Sequence, residues 1–396
     1  MNTPQRLHSL DNLRASMMWL GIVLHVSVAH LSGESPLPWR DNATSPVADL
    51  LFPFIHAFRM PVFFVLAGFF VALLVQRRGL GGMLVHRFKR IALPFLLFWP
   101  PLLLLSVVAM MLFVHRMADG SLGLDPALMP PPAGRPMFNT MHLWFLYLLW
   151  WLALATALLG WLGRSLPAAW RAAALQGAVR LGGSWWGPLL LSLPLVLAGA
   201  HYPHGIVAPL GSLLPPPAEW LHNGMFYAFG FCLYMARETL LPLYTRHWAR
   251  YLLAGLPFFL ATGALVEAGR SPAGLPHEAL WVAFSYNLCA WLWSFGLIGL
   301  FLRHLPQRQP LLAYLADSAY WVYLVHMPLV IGFGALLYGG PLGALTKMLI
   351  NIAMTTLVCL LSYHWAVRKR WLGRLLNGPR QAAPATPSIH SQEARA

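Results

Sequence analysis

The chain is a succession of apolar runs of about bilayer-crossing length, at roughly 11–31, 50–75, 91–114, 139–163, 186–200, 218–236, 251–268, 279–302, 310–337 and 342–366. A helix of about 20 apolar residues matches the hydrocarbon thickness. Inside lipid, only helices and closed barrels satisfy every backbone N–H and C=O. With 58% hydrophobic and 10% charged residues among 396, the apolar load exceeds what one water-soluble core can bury. The expected fold is therefore all-α, a polytopic membrane protein of about ten transmembrane helices. The fifth run is short and opens on Trp185, Trp186, Gly187 and Pro188, so counts of nine and eleven stay open.

Lys and Arg positions set the orientation. Alternate connections carry Arg77, Arg78, Arg87, Lys89 and Arg90, then Arg164, Arg171 and Arg180, then Arg237, Arg246 and Arg250, then Arg303 and Arg308. The C-terminal segment adds Arg368, Lys369, Arg370 and Arg374, whereas the remaining connections hold Arg40, Arg116, Arg135, Arg270 and Lys347. The first set and both termini are expected in the cytoplasm, and the Pro/Gly-rich loops at Pro130–Pro136 and Leu213–Pro217 outside. One transmembrane domain is expected over 1–367, followed by a basic, disordered cytoplasmic tail over 368–396. The N-terminus lacks the features of a cleaved secretory signal, so the first helix is expected to persist. These basic rims account for the formal charge of +15, and no nucleic-acid partner is expected. Cys232, Cys289 and Cys359 lie inside apolar runs without paired spacing, against a disulfide framework or a thiolate metal site. No metal is expected.

Ionisable residues within lipid are costly and mark function. In the first run Arg14 and His25 are eleven residues apart, within about 20° of three helical turns, so they share a face and stand about 16 Å apart along the axis. His56 and Arg59 lie in the outer half of the second helix, and Tyr323 with His326 in the middle and outer part of the ninth. His142, Glu219 and His222 open the fourth and sixth helices from outside. These groups converge on an outward half-cavity. The cytoplasmic half offers Arg14, Arg87, Lys89 and Arg90, a cationic set suited to phosphates. The bland alternative has Arg14 snorkelling to lipid phosphates, His25 packing, and helix-end residues such as His142 acting as interfacial caps.

Five segments in order, RASMMWLGIVLH from Arg14 to His25, FRMPVFFVLAGFF from Phe58, RFKRIALPF from Arg87, HLWFLY from His142 and SAYWVYLVHMP from Ser318, resemble the acyltransferase-3 superfamily of membrane proteins. Within it the chain looks most like the glucan-modifying, succinyltransferase branch. The resemblance covers roughly Leu10 to Val367 and rests on collinearity. It implies a multi-pass enzyme of the bacterial-type inner membrane that moves an acyl group, acetyl or succinyl, from cytoplasmic acyl-CoA to an extracytoplasmic hydroxyl, often of a carbohydrate. Acyl-CoA is then the donor substrate, and no permanently bound cofactor is expected. By the family pattern Arg14 and His25 are the pair most closely tied to activity. Many members carry Ser-Gly where this chain has Ala67-Gly68, which removes a hydroxyl there and leaves the small-residue packing.

The residue chemistry agrees. A thioester needs an oriented acceptor, a base for the attacking hydroxyl and a donor for the developing oxyanion. His25 is the candidate base, with Tyr323, His326 or Arg59 as oxyanion donors or acceptor-positioning groups, and Arg14 as a holder of CoA phosphate. His56, His142, Glu219 and His222 are candidate acceptor-binding residues. An acyl-His25 intermediate is a variant that sequence does not separate from direct transfer. Two other classes compete. A proton-coupled transporter would use the same buried groups, although no paired broken helices are visible, and a scaffold leaves the buried charges without purpose.

Overall fold

The computed structural model describes residues 8–378 apart from 34–36, 130–137, 210, 273 and 308–309. The loop at Pro130–Pro136 and the chain beyond 378 lie outside the described residues. All regular structure among the described residues is helical: α1 (His8–Ser27), α2 (Pro46–Arg87), α3 (Leu93–Asp119), α4 (Trp144–Leu162), α5 (Ala168–Gly183), α6 (Gly187–Gly199), α7 (Pro217–Met235), α8 (Arg237–Gly269), α9 (Glu278–His304), α10 (Pro310–Leu337), α11 (Ala344–Ser362) and α12 (Trp371–Asn377). A helix occupies each of the ten expected runs. Among the described residues, seven helical stretches are long and apolar enough to cross a membrane, or eight if the bent pair α5 and α6, 105° apart, is one crossing. The stretch from Pro46 to Asp119 counts once in that number although it turns at Gly79. Helix α7 occupies the sixth run with Glu219, His222 and Asn223 buried in its first turns. The architecture is consistent with a polytopic membrane protein.

Local chemistry explains the breaks. Helix α2 starts where the Ser45 hydroxyl accepts from Val47 N–H at 3.2 Å with Pro46 next in line, a pairing suited to a helix start. It reverses at Gly79, whose φ of 68° lies in the left-handed region open to glycine. The chain re-enters α3 through a π-helical turn at Phe88–Ala92, and α3 stops at Gly120 with φ 73°.

The core follows α2, α7 and α9, with Phe64, Phe69, Phe226, Trp291 and Phe295 fully buried. Helices α2 and α7 cross backbone to backbone. A Cβ on Gly68 would overlap the carbonyl oxygen of Tyr227, and one on Gly230 would overlap that of Val65. The small residue of the Ala67-Gly68 pair is thus a packing necessity. Beyond α1, the chain folds back on itself. Lys347 of α11, 1% exposed, reaches into the α1–α2 connection and donates to Asp41 Oδ1 at 2.8 Å and Asn42 Oδ1 at 3.2 Å. His30 Nδ1 and the Ala43 carbonyl close the same loop at 2.8 Å.

The segment expected as a tail is helical over Trp371–Asn377. It docks because Arg90 donates to the carbonyls of Arg374 and Leu375 at 2.7 and 2.6 Å, Asn377 Nδ2 donates to Asp317 O at 2.6 Å, and Leu376 is buried. These partners satisfy the carbonyls that a helix end leaves open.

Candidate active site

Arg14 and His25 end up three turns apart on α1, and each belongs to a different polar region. The His25 region, the histidine chamber, is a buried cluster of ring side chains. His25 faces His326 of α10 with ring centroids 5.3 Å apart, and His326 faces His142 at 5.4 Å. Tyr323 lies 6.0 Å from His142. Arg59 and His56 of α2 stand within electrostatic reach of His25.

The aim of His142 follows from two sequence features. Its turn is clamped: Thr140 N–H and Oγ1 donate to Gly211 O at 2.7 and 3.0 Å, Trp99 Nε1 donates to Asn139 O at 3.0 Å, and Asn139 Oδ1 accepts from Met141 N–H at 2.9 Å. Met141 itself sits at φ 48°, a cost that its surroundings must hold in place. Within α10, Pro328 has no N–H, so the carbonyl of Leu324 four residues earlier has no helical partner. His142 Nε2 fills that vacancy at 2.9 Å, and Tyr323 returns a hydroxyl to His142 O at 2.8 Å.

These contacts fix hydrogen positions. Carbonyl oxygens only accept, so Nε2 of His142 carries hydrogen, as does Nδ1 of His326, which lies 3.0 and 2.8 Å from Val322 O and Tyr323 O. In the neutral rings His142 Nδ1 and His326 Nε2 are then bare acceptors, buried and unpartnered. Of the three expected oxyanion donors, Tyr323 has spent its hydroxyl hydrogen and His326 its Nδ1–H. Arg59 keeps a buried, unpartnered Nε–H, and its Nη2 meets only Met60 Sδ at 3.7 Å. Its guanidinium lies against Gly21 of α1, one turn before His25; a Cβ there would overlap Nη1. His25 has no hydrogen bond to the protein among the described residues, which leaves its ring free for a substrate.

The other expected acceptor residues lie around this chamber and are more heavily engaged. His56 Nδ1 pairs with Tyr286 Oη at 2.7 Å, and that hydroxyl donates to His56 O at 3.1 Å. His222 is held between Asn287 Oδ1 at 3.0 Å and Asn223 Oδ1 at 3.5 Å. Glu219, 3% exposed, takes a hydrogen bond from Tyr202; burial, and then the Glu219 charge and this bond, push the Tyr202 phenol up to about 12. Tyr286, Asn287 and Asn223 were not anticipated. Their signal was a polar Ser285-Tyr286-Asn287 step inside an otherwise apolar run and an Asn beside His222. Among the described residues no three of the His, Cys, Asp and Glu side chains stand in a metal-holding arrangement.

The Arg14 region is an open basin of about 1680 Å³, larger than the roughly 300–1,000 Å³ of ordinary small-molecule clefts. Arg14, 42% exposed, pairs with Asp11 at 3.4 Å and stands 5.9 Å above the Phe70 ring. Arg87 joins it, with Arg77, Arg237, Arg246 and Arg303, while Asp11 and Glu238 are the acidic side chains in the wall. The starts of α1 and α8 and the ends of α2 and α9 therefore meet at one end of the bundle. Lys89 and Arg90 do not line the basin: Lys89 is exposed, and Arg90 is engaged by the carbonyls of α12. Sequence reading attributed Arg77, Arg237, Arg246 and Arg303 to orientation alone, because it does not reveal which loop cations converge.

Comparison with known proteins bears out the family resemblance read from the sequence. The acyltransferase 3 family model, described as an acyltransferase domain, matches residues 7–364. Glucans biosynthesis protein C of Escherichia coli strain SMS-3-5 / SECEC is 28% identical over 359 residues, covering 84% of either chain. The proteins of the same name from E. coli O81 (strain ED1a) and O9:H4 (strain HS) are 27% identical over the same length and coverage. No solved structure matches.

Proposed function

This chain belongs to the acyltransferase-3 family, and from that premise we propose that it moves an acyl group from acyl-CoA on the cytoplasmic side of the inner membrane to a hydroxyl of a glycan on the other side. The observation that carries this reading is the single face of α1 that joins the arginine basin at Arg14 to the histidine chamber at His25. In this reading the helices of the ten apolar runs, α1–α4 and α6–α11, cross the membrane, both termini are cytoplasmic, and the basin opens to the cytoplasm. The phosphates of CoA lie among Arg14, Arg77 and Arg87, and the pantetheine arm carries the thioester along α1.

At the chamber His25 takes the proton of the attacking hydroxyl, and the new O–C bond forms as the carbonyl becomes an oxyanion. The Arg59 Nε–H donates to that oxygen. Collapse breaks the C–S bond, and the proton on His25 passes to the CoA sulfur, so the imidazole returns neutral. The printed name of the relatives supports a glucan as the acceptor; acetyl and succinyl are the acyl groups to test first.

The test is mass spectrometry of envelope glycans from cells with and without the gene. An acyl mass present only with the gene is expected. Glycans with identical acyl content in both would overturn the reading.

A further inference from the structure

The proposed transfer uses His25 and Arg59 and leaves two buried lone pairs idle. His142 is 9% exposed and His326 4%, yet His142 Nδ1 and His326 Nε2 have no partner. The large majority of buried side-chain polar atoms in folded proteins find a hydrogen-bond partner, and leaving one unmade costs its desolvation. Neither ring can turn to escape: each is pinned through its other nitrogen to an α10 carbonyl, at 2.9 Å for His142 and 2.8 Å for His326. What fits there must bring hydrogens to give.

The surroundings narrow the class. Arg59 stands within electrostatic reach of His326, so an ammonium is repelled. A carboxylate or phosphate has no hydrogen to offer and would face two lone pairs. A neutral compound with hydroxyls on adjacent carbons meets both conditions. The ring centroids are 5.4 Å apart and the planes nearly perpendicular at 87°, which puts both nitrogens within the compass of one sugar ring.

We propose that His142 Nδ1 and His326 Nε2 form an acceptor-only subsite that takes the hydrogens of hydroxyls flanking the one deprotonated by His25, so that the acyl acceptor is a polyol rather than a lone alcohol, an amine or an acid. The proposal rests on the transfer reading above. It assigns the two histidines to acceptor recognition, with the lone pairs as the specificity device. A site built around a substrate hydroxyl discriminates strongly against the analogue lacking it, because its own polar atom is then left unpaired.

The experiment uses the full chain in lipid nanodiscs with acetyl-CoA or succinyl-CoA, and methyl β-glucopyranoside with its monodeoxy analogues as probes. In wild type, at least one deoxy analogue should lose about tenfold in kcat/KM, equivalent to about 1.4 kcal/mol. In His326→Phe or His142→Phe, which keep the ring and remove the lone pair, the same deletion should cost less than about threefold, the mark of a direct coupling. A second readout needs neither transfer nor variants that fold: with 15N-histidine label, the unprotonated ring-nitrogen signals should move when methyl glucoside is added without acyl donor. Glucosides acylated with no coupling and no moving signal would overturn the subsite and leave the transfer reading standing. Signals that move while no glucoside is acylated would do the reverse. No acylation and no movement would remove both.

Discussion

The histidine chamber and the arginine basin handle polarity in opposite ways. In the chamber most side chains are committed: carbonyls of α10 hold His142 and His326, Tyr323 is spent on His142, and besides the His25 ring only His142 Nδ1, His326 Nε2 and Arg59 Nε are left buried and without a partner among these described groups. In the basin several guanidinium groups share a wide, wet space, and Arg14 is 42% exposed. Exposed charges contribute little singly and are screened by salt. A change at one chamber atom should therefore be decisive, whereas the basin should lose function in increments.

The largest break is expected at His25. His25→Ala should lower transfer by about 10²- to 10⁴-fold with normal membrane insertion, since that is the usual contribution of a general base. Near-normal acylation by a well-expressed variant would remove His25 from the chemistry. Next comes Gly21→Ala. Its methyl group takes the space of Arg59 Nη1, the mobile end of a side chain, so the fold should persist while the oxyanion donor is displaced. Misplacement by about 1 Å costs on the order of 10². A fall in kcat with thermal stability unchanged is the expected pair of results.

A subtler test restores a missing hydrogen. Pro328→Ala gives α10 an N–H for Leu324 O, which competes with His142 Nε2 for the same carbonyl. Helix stability should rise or hold, while acceptor KM climbs about tenfold as His142 loses its anchor. An unchanged acceptor KM would show that the His142 bond does not aim the ring. The smallest effects belong to the basin. Arg246→Ala and Arg303→Ala should each raise the KM for acyl-CoA about two- to fivefold, add when combined, and shrink at high salt. Arg14→Ala should do more. A single basin substitution as severe as His25→Ala would end the contrast between the regions.

Much of this was legible in the sequence. Apolar runs of spanning length located the helices because lipid leaves the backbone few alternatives. Depth alone singled out His25, Arg59 and His326, whereas His142 read as a helix-end residue. What these residues can donate or accept was not legible, since it depends on Pro328 leaving a carbonyl free and on a strained turn at Met141 presenting a histidine from 182 residues away. The helical bend of α5 against α6 and the docking of α12 also escaped, because both rest on tertiary partners: Tyr244 Oη on Gly182 O at 3.1 Å and Arg90 on α12. Lys89 and Arg90 show the same limit from the other side. A basic cluster in sequence did not distinguish a phosphate ligand from a helix anchor.

The Gly68–Gly230 crossing gives the two regions a shared mechanics. Side chains usually cushion one helix against another, and their rotamers absorb small displacements. Here peptide groups of α2 and α7 touch directly, so the joint has no cushion. Helix α2 carries Arg59 on one side of that joint and Phe70 and Arg77 on the other. A side chain added at Gly68 or Gly230 is therefore expected to disturb both ends of α2 at once.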